Sequence, residues 1–157
     1  MNVSYLKKLL SNLKKGNITI DYVINRLRTL PFEEMGFATI DSHRSLRQGF
    51  PEVILGEGKT KEQIIGIAKR MAEKKENILI TRVNKEKARA LKRVFPKSVY
   101  NDVARTVVIK SHPVEMKGIG KILIISAGTS DIPVAEEARV TAEIMGNDVE
   151  TLYDVGV

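Results

Sequence analysis

The chain has 157 residues, 43% apolar and 5% aromatic, which suits one ordinary domain or two small ones with a buried core. It holds no cysteine and no tryptophan. Disulfides, zinc knuckles, iron–sulfur sites and thiolate nucleophiles within this chain are thereby excluded, and an aromatic platform for single-stranded nucleic acid is disfavoured.

The N-terminal stretch MNVSYLKKLLSNLKK alternates apolar and basic residues, with no signal-peptide core or cleavage site, and no apolar run is long enough to span a membrane. A cytoplasmic protein without membrane association is expected. Tyr5, Leu6, Leu9, Leu10 and Leu13 recur at helical spacing before Gly16, and Ile20, Val23, Ile24 and Leu27 form a second stripe opened by Thr19 and closed by Pro31. This helical hairpin, residues 1–30, is narrow enough to need something larger to dock on. Residues 36–59 read as loops around short strands at 37–40 and 52–55. Thr60 then begins a helix with the capping-box pattern T-K-E-Q and an apolar face of Ile64, Ile65, Ile67, Ala68 and Met71. A strand at Ile78–Arg82, a helix opened by Asn84 and a strand at Thr106–Ile109 complete a small parallel or mixed α/β sheet.

Residues 111–120, with two glycines and a proline, read as a linker, which coincides with a step in charge. The whole chain carries 26 basic and 19 acidic residues, a net of +7; residues 120–157 hold 2 basic and 7 acidic (−5), leaving 24 and 12 (+12) in residues 1–119. Such a step points to two units with different partners, the basic one facing phosphates, or else to a Lys/Glu/Ile-rich surface of thermophilic type. After the linker, Lys121–Ser126 (KILIIS) is an unbroken apolar run that predicts a doubly buried strand. A helix from about Pro133 to Met145 ends at Gly146, and a second strand spans Val149–Val155. Two parallel strands cannot cover both faces of their sheet, so this βαβ unit is expected to be incomplete, finished by missing sequence or by another chain. The predicted layout is therefore a helical hairpin (1–30), a basic α/β domain (31–110), a linker (111–120) and an incomplete nucleotide-binding domain (121–157).

The segment ILIISAGTSDIPVAEEA runs from a buried strand through a glycine-bearing turn to a helix N-terminus, where backbone N–H groups and the helix dipole favour anions. Gly128 permits close backbone approach, the hydroxyls of Thr129 and Ser130 can donate to phosphate, and Asp131 can accept from a ribose hydroxyl. The competing reading is that Ser130 or Asp131 merely caps the helix. In ILGEGKT the P-loop pattern fails, because Val53 stands where its first glycine belongs; a looser anion role for Lys59 stays open. The loop DSHRSLRQGFPE offers His43, Arg44 and Arg47 as possible anion-binding groups, the two arginines as a clamp, against the alternative of a solvated loop with an internal Arg–Asp pair. Asp41 with His43 is too sparse for a metal site, and His112 beside Pro113 reads as solvent-exposed.

The strings DSHRSLRQGFPEVILGEGKT, ITRV, ILIISAGTSDIPVAEEARVTAEIMG and YDVGV closely resemble the LarB family of nickel-pincer cofactor biosynthesis, from about residue 31 onward. The resemblance implies a small N-terminal α/β domain with a helical hairpin, followed by the first βαβ unit of a PurE-like parallel-sheet domain similar to aminoimidazole ribonucleotide carboxylase. It makes Gly128, Thr129, Ser130 and Asp131 the phosphate-binding turn. It further implies a dinucleotide substrate, nicotinic acid adenine dinucleotide, whose pyridinium ring is carboxylated with carbon dioxide as co-substrate and whose phosphoanhydride is hydrolysed. No tightly bound cofactor follows, the residues do not indicate magnesium, and a homo-oligomer is expected at full length. In the family a cysteine thiolate turns the electron-poor ring into a nucleophile. This chain has no cysteine, so no catalytic residue is assigned in it and inactivity alone is expected. The other classes weighed are a PurE-type carboxylase of purine biosynthesis, which has no need of residues 1–119, and a basic nucleic-acid-binding adaptor, for which no recognisable motif exists.

Overall fold

The computed structural model describes residues 3–28, 32–34, 39–41 and 52–156, and forms two compact units, Met1–Glu52 and Val53–Val157. In the first unit, α1 (Val3–Lys14) and α2 (Ile20–Arg28) pack on each other, with Leu9 and Val23 buried. Thr19 caps α2 as its sequence implies, its Oγ1 accepting the Tyr22 N–H at 3.1 Å. Strands β1 (Phe32–Glu34) and β2 (Thr39–Asp41) pair antiparallel. The strand expected at 37–40 thus lies at 39–41, and its partner β1 was not foreseen.

The second unit is built on a mixed four-stranded sheet. Strand β3 (Val53–Leu55) pairs parallel with β4 (Ile78–Thr81) through the connecting helix α3 (Lys61–Glu73). After α4 (Lys85–Val94), β5 (Val99–Asn101) and β6 (Thr106–Ile109) form an antiparallel hairpin, giving the order β3-β4-β6-β5. Both helix starts are held as their sequences dictate. Thr60 Oγ1 accepts the Gln63 N–H while Gln63 Oε1 accepts the Thr60 N–H, at 3.2 and 2.9 Å, and Asn84 Oδ1 accepts the Lys87 N–H at 2.9 Å. Alternation across the strands sorts the core. Ile54, Ile78, Ile80, Val107 and Ile109 are buried on the face that α3 and α4 cover, against Ile64, Met71 and Leu91.

The opposite face carries the cross-strand row Val53, Leu79 and Val108. It is covered by α5 (Ile132–Ile144), whose Val140 and Ile144 form a cluster with Leu79 and Ala104. Residues 111–120 are irregular but pinned: the Ser111 and His112 amides donate to Asn77 Oδ1 at 2.8 and 3.2 Å, and the Lys117 and Gly118 amides to the Gly146 carbonyl at 2.8 and 3.0 Å. Gly146 ends the α5 segment at φ +87°, and a Cβ there would lie 2.2 Å from the Glu115 carbonyl oxygen, so only glycine fits.

On its other side α5 packs against β7 (Lys121–Ile125) and β8 (Asp148–Leu152), which pair parallel to complete the βαβ unit. The expectation of a doubly buried β7 is corrected here. Leu123 and Ile125 are 54% and 58% exposed, and Leu152 on β8 is 48% exposed. One helix covers one face, and among the described residues nothing covers the other. Among the described residues, too, no helix is long and apolar enough to cross a membrane.

Candidate functional site

Strand β7 delivers its chain into Ser126 and Ala127, then into a single 3-10 turn, Thr129–Asp131, and directly into α5. The segment after β8 returns beside it: the Val155 amide donates to the Ser126 carbonyl at 3.2 Å and the Gly156 amide to the Ala127 carbonyl at 2.7 Å. The strand end is therefore held along its β8 side up to the point where the turn begins. Within the turn, Asp131 Oδ2 accepts the Gly128 N–H at 3.2 Å, and the Asp131 N–H donates to the Gly128 carbonyl at 3.1 Å. The carboxylate thus closes its own turn.

The helix-capping alternative fails for Ser130, because α5 begins without a side-chain cap, whereas Asp131 does cap the 3-10 turn that leads into the helix, through the Gly128 N–H. The Thr129 and Ser130 hydroxyls are exposed and make no hydrogen bond among the described residues. Space above Gly128 is open: a Cβ there would come no closer than 3.8 Å to Asp131 Oδ2 and Ser130 Oγ. The protein's own packing does not demand glycine at this position, which leaves room for another molecule to approach the backbone. Ser126 Oγ, just before the turn, is buried and has no hydrogen-bond partner. A buried hydroxyl left unpaired costs about 1–3 kcal/mol, so its retention needs a reason. Nothing in the sequence marked Ser126, because a serine ending an apolar strand reads as the strand's last residue.

Behind the turn stands a second feature that sequence reasoning missed. Glu136, on the second turn of α5, accepts Arg139 Nε at 2.8 Å and Nη2 at 2.9 Å, Asn101 Nδ2 at 2.7 Å and the Tyr153 hydroxyl at 2.5 Å. The Arg139 guanidinium, more than the other donors, holds this carboxyl at about 2, against burial, which pushes the other way. Glu136 in turn raises the Arg139 pKa. Arg139 also reaches Glu143 at 2.6 Å, and Glu137 accepts Arg82 Nε at 3.1 Å. This network binds α5 to β5, to the residue that follows β4 and to the segment after β8, and so fixes the helix whose N-terminus carries the turn.

The remaining sequence candidates fall elsewhere. Lys59 lies half-buried in the loop between β3 and α3. The glycine preceding it by three has a packing role: a Cβ on Gly56 would meet the Thr81 carbonyl oxygen at 2.8 Å. His43, Arg44 and Arg47 lie outside the described residues, and among the described residues no cluster of metal-ligating side chains occurs.

Residues 32–112, just over half of the chain, match the family described as the LarB/PurE-like N-terminal domain. The chain belongs to the LarB/PurE-like family. It is also similar to an uncharacterized protein of Methanocaldococcus jannaschii, 39% identical over 158 residues, covering 97% of this chain and 62% of that relative. The chain thus spans about three fifths of the relative's length. The turn at 126–131 of this LarB/PurE-like chain lies beyond the family-matched stretch but within the part aligned to the relative.

Proposed function

We propose that this LarB/PurE-like chain serves nickel-pincer cofactor biosynthesis by binding nicotinic acid adenine dinucleotide at the turn Gly128–Asp131. The observation that carries the reading is the pairing of free donors with open space. Two hydroxyls without protein partners stand at the start of a 13-residue helix, over an unobstructed glycine and beside a buried, unpaired serine hydroxyl. An anionic phosphate gains there both hydrogen bonds and the positive end of the helix dipole. Ser130 and Thr129 donate to a phosphate oxygen of the nicotinate-ribose half, and the Asp131 oxygen not facing Gly128 accepts from a ribose hydroxyl.

The reaction in which the bound dinucleotide takes part joins carbon dioxide to the pyridinium ring and cleaves the phosphoanhydride by water. Its nucleophile in the family is a thiolate, and this chain has none. Binding and orientation of the dinucleotide are therefore the roles assigned to these residues. A PurE-type purine carboxylase remains the runner-up on fold alone.

The test is calorimetric titration of the chain with the dinucleotide, for wild type and Ser130→Ala. Loss of one hydrogen bond to a charged group is about 1.5–3 kcal/mol, or roughly 10- to 150-fold in affinity. No binding by the wild type, or equal binding by the variant, overturns the reading.

A further inference from the structure

Helix α4 carries a row of like charges that the fold leaves largely uncompensated. Lys85, Arg89 and Lys92 recur at i, i+4 and i+7, so they share one side of the helix. Like charges at this spacing repel. On α5, by contrast, Arg139 is flanked by Glu136 and Glu143. On α4, Arg89 has no carboxylate partner among the described residues.

The row forms one wall of an open groove of about 550 Å³, and β5 forms the other. Lys85 Nζ lies 2.8 Å from Asp102 Oδ2, and Lys92 Nζ donates to the Ser98 carbonyl at 2.5 Å. Three cations thus face one carboxylate, an excess of two positive charges. A phosphomonoester at neutral pH carries about −1.5 to −2 and matches that excess. The rest of the lining is mainly apolar, from Ala88 and the Tyr100 ring together with the methylene stems of the basic side chains. Tyr100 is held in place, its hydroxyl donating to Asp102 Oδ1 at 3.1 Å. The volume lies within the range of small-molecule sites, about 300–1,000 Å³. As an edge strand, β5 also turns unpaired backbone N–H and C=O groups outward, and these can meet the polar edge of a base.

We infer that the groove between α4 and β5 binds a phosphomonoester carrying a planar aromatic body, of the nucleoside monophosphate class, with Arg89 and Lys92 on the phosphate and Tyr100 against the ring. Bare phosphate and sugar phosphates leave the apolar surface of the groove unused. The site is separate from the turn at 126–131 and does not depend on the function proposed for that turn.

The experiment titrates the full chain with adenosine monophosphate, adenosine and inorganic phosphate. Adenosine monophosphate is expected to bind at least tenfold more tightly than either fragment. Arg89→Ala and Lys92→Ala, both at exposed positions, are each expected to weaken it about tenfold or more from the loss of a charge-assisted contact, at unchanged melting temperature for Arg89→Ala and with a small fall for Lys92→Ala, which also gives up its bond to the Ser98 carbonyl. Should either alanine variant unfold, the glutamine replacement takes its place. Ser130→Ala is expected to leave this affinity unchanged. The inference is overturned by absence of binding, by inorganic phosphate binding as tightly, by unaltered affinity in both α4 variants, or by loss confined to Ser130→Ala. A single-stranded oligonucleotide that displaces the nucleotide at equal phosphate concentration also overturns it, by assigning the groove to a polymer.

Discussion

Replacing Glu136 by glutamine keeps the shape of the side chain and removes its charge. In the native protein this side chain is only 14% exposed and accepts four hydrogen bonds from three residues, two of them from the Arg139 guanidinium. Glutamine offers one accepting oxygen, and in either orientation its NH2 group faces an Arg139 N–H with which it cannot pair. The carboxyl is held at about 2 against an ordinary value of 4.5, and each unit of such a difference is worth about 1.4 kcal/mol, which sets a ceiling of about 3 kcal/mol. Arg139 keeps its contact with Glu143, so the variant is expected to lose about 2–3 kcal/mol at neutral pH. The direction with pH follows from the depressed value. Above about 4.5 both folded and unfolded carboxyls are ionised and the stabilisation is complete. Between about 4.5 and 2 the unfolded chain takes up the proton first, and the stabilisation drains away as pH falls. Urea unfolding followed by circular dichroism, for both proteins at pH 7 and at pH 2.5, measures this. A gap of about 2–3 kcal/mol that narrows by more than half at the lower pH supports the network. A gap below about 0.5 kcal/mol at pH 7, or one that stays the same at pH 2.5, refutes the reasoning.

Other substitutions separate packing from binding. Thr106→Val replaces a fully buried, unpartnered hydroxyl by a methyl group of equal shape and is expected to raise stability by about 1 kcal/mol in the same urea assay. Thr60→Ala removes the capping box of α3 and is expected to cost about 1 kcal/mol, read as a fall in melting temperature. Gly128→Ala meets nothing closer than 3.8 Å and is expected to leave stability within about 0.5 kcal/mol, while lowering dinucleotide affinity if the phosphate approaches the backbone there.

What could be read from the residues was local. The caps Thr19, Thr60 and Asn84 act over three residues, so their sequence patterns carried the whole interaction. Strand β5 escaped because three residues, Val99–Asn101, hold too little alternation to show a period, and it exists through pairing with β6. Its addition makes the sheet end in an antiparallel hairpin. The apolar run of β7 described the surroundings this strand suits, not the half-exposed face it shows in this chain. The Glu136 network was invisible because its partners Asn101 and Tyr153 stand 35 and 17 residues away. The turn at 127–131, by contrast, was legible as strand, glycine, hydroxyls and helix start, all contiguous. Structure added that its hydroxyls are free of capping duty and that Ser126 lies buried beside it without a partner.

The central claim is that the turn between β7 and α5 is a phosphate-binding element for a pyridine dinucleotide. Amide chemical shifts of the isotope-labelled chain, followed while nicotinic acid adenine dinucleotide is added, test it most directly. The account expects the largest saturable shifts at Gly128, Thr129, Ser130 and Asp131, with Ser126 close behind and the amides of α3 unmoved. Saturable shifts that leave residues 126–131 in place, or no shift anywhere at millimolar dinucleotide, contradict it.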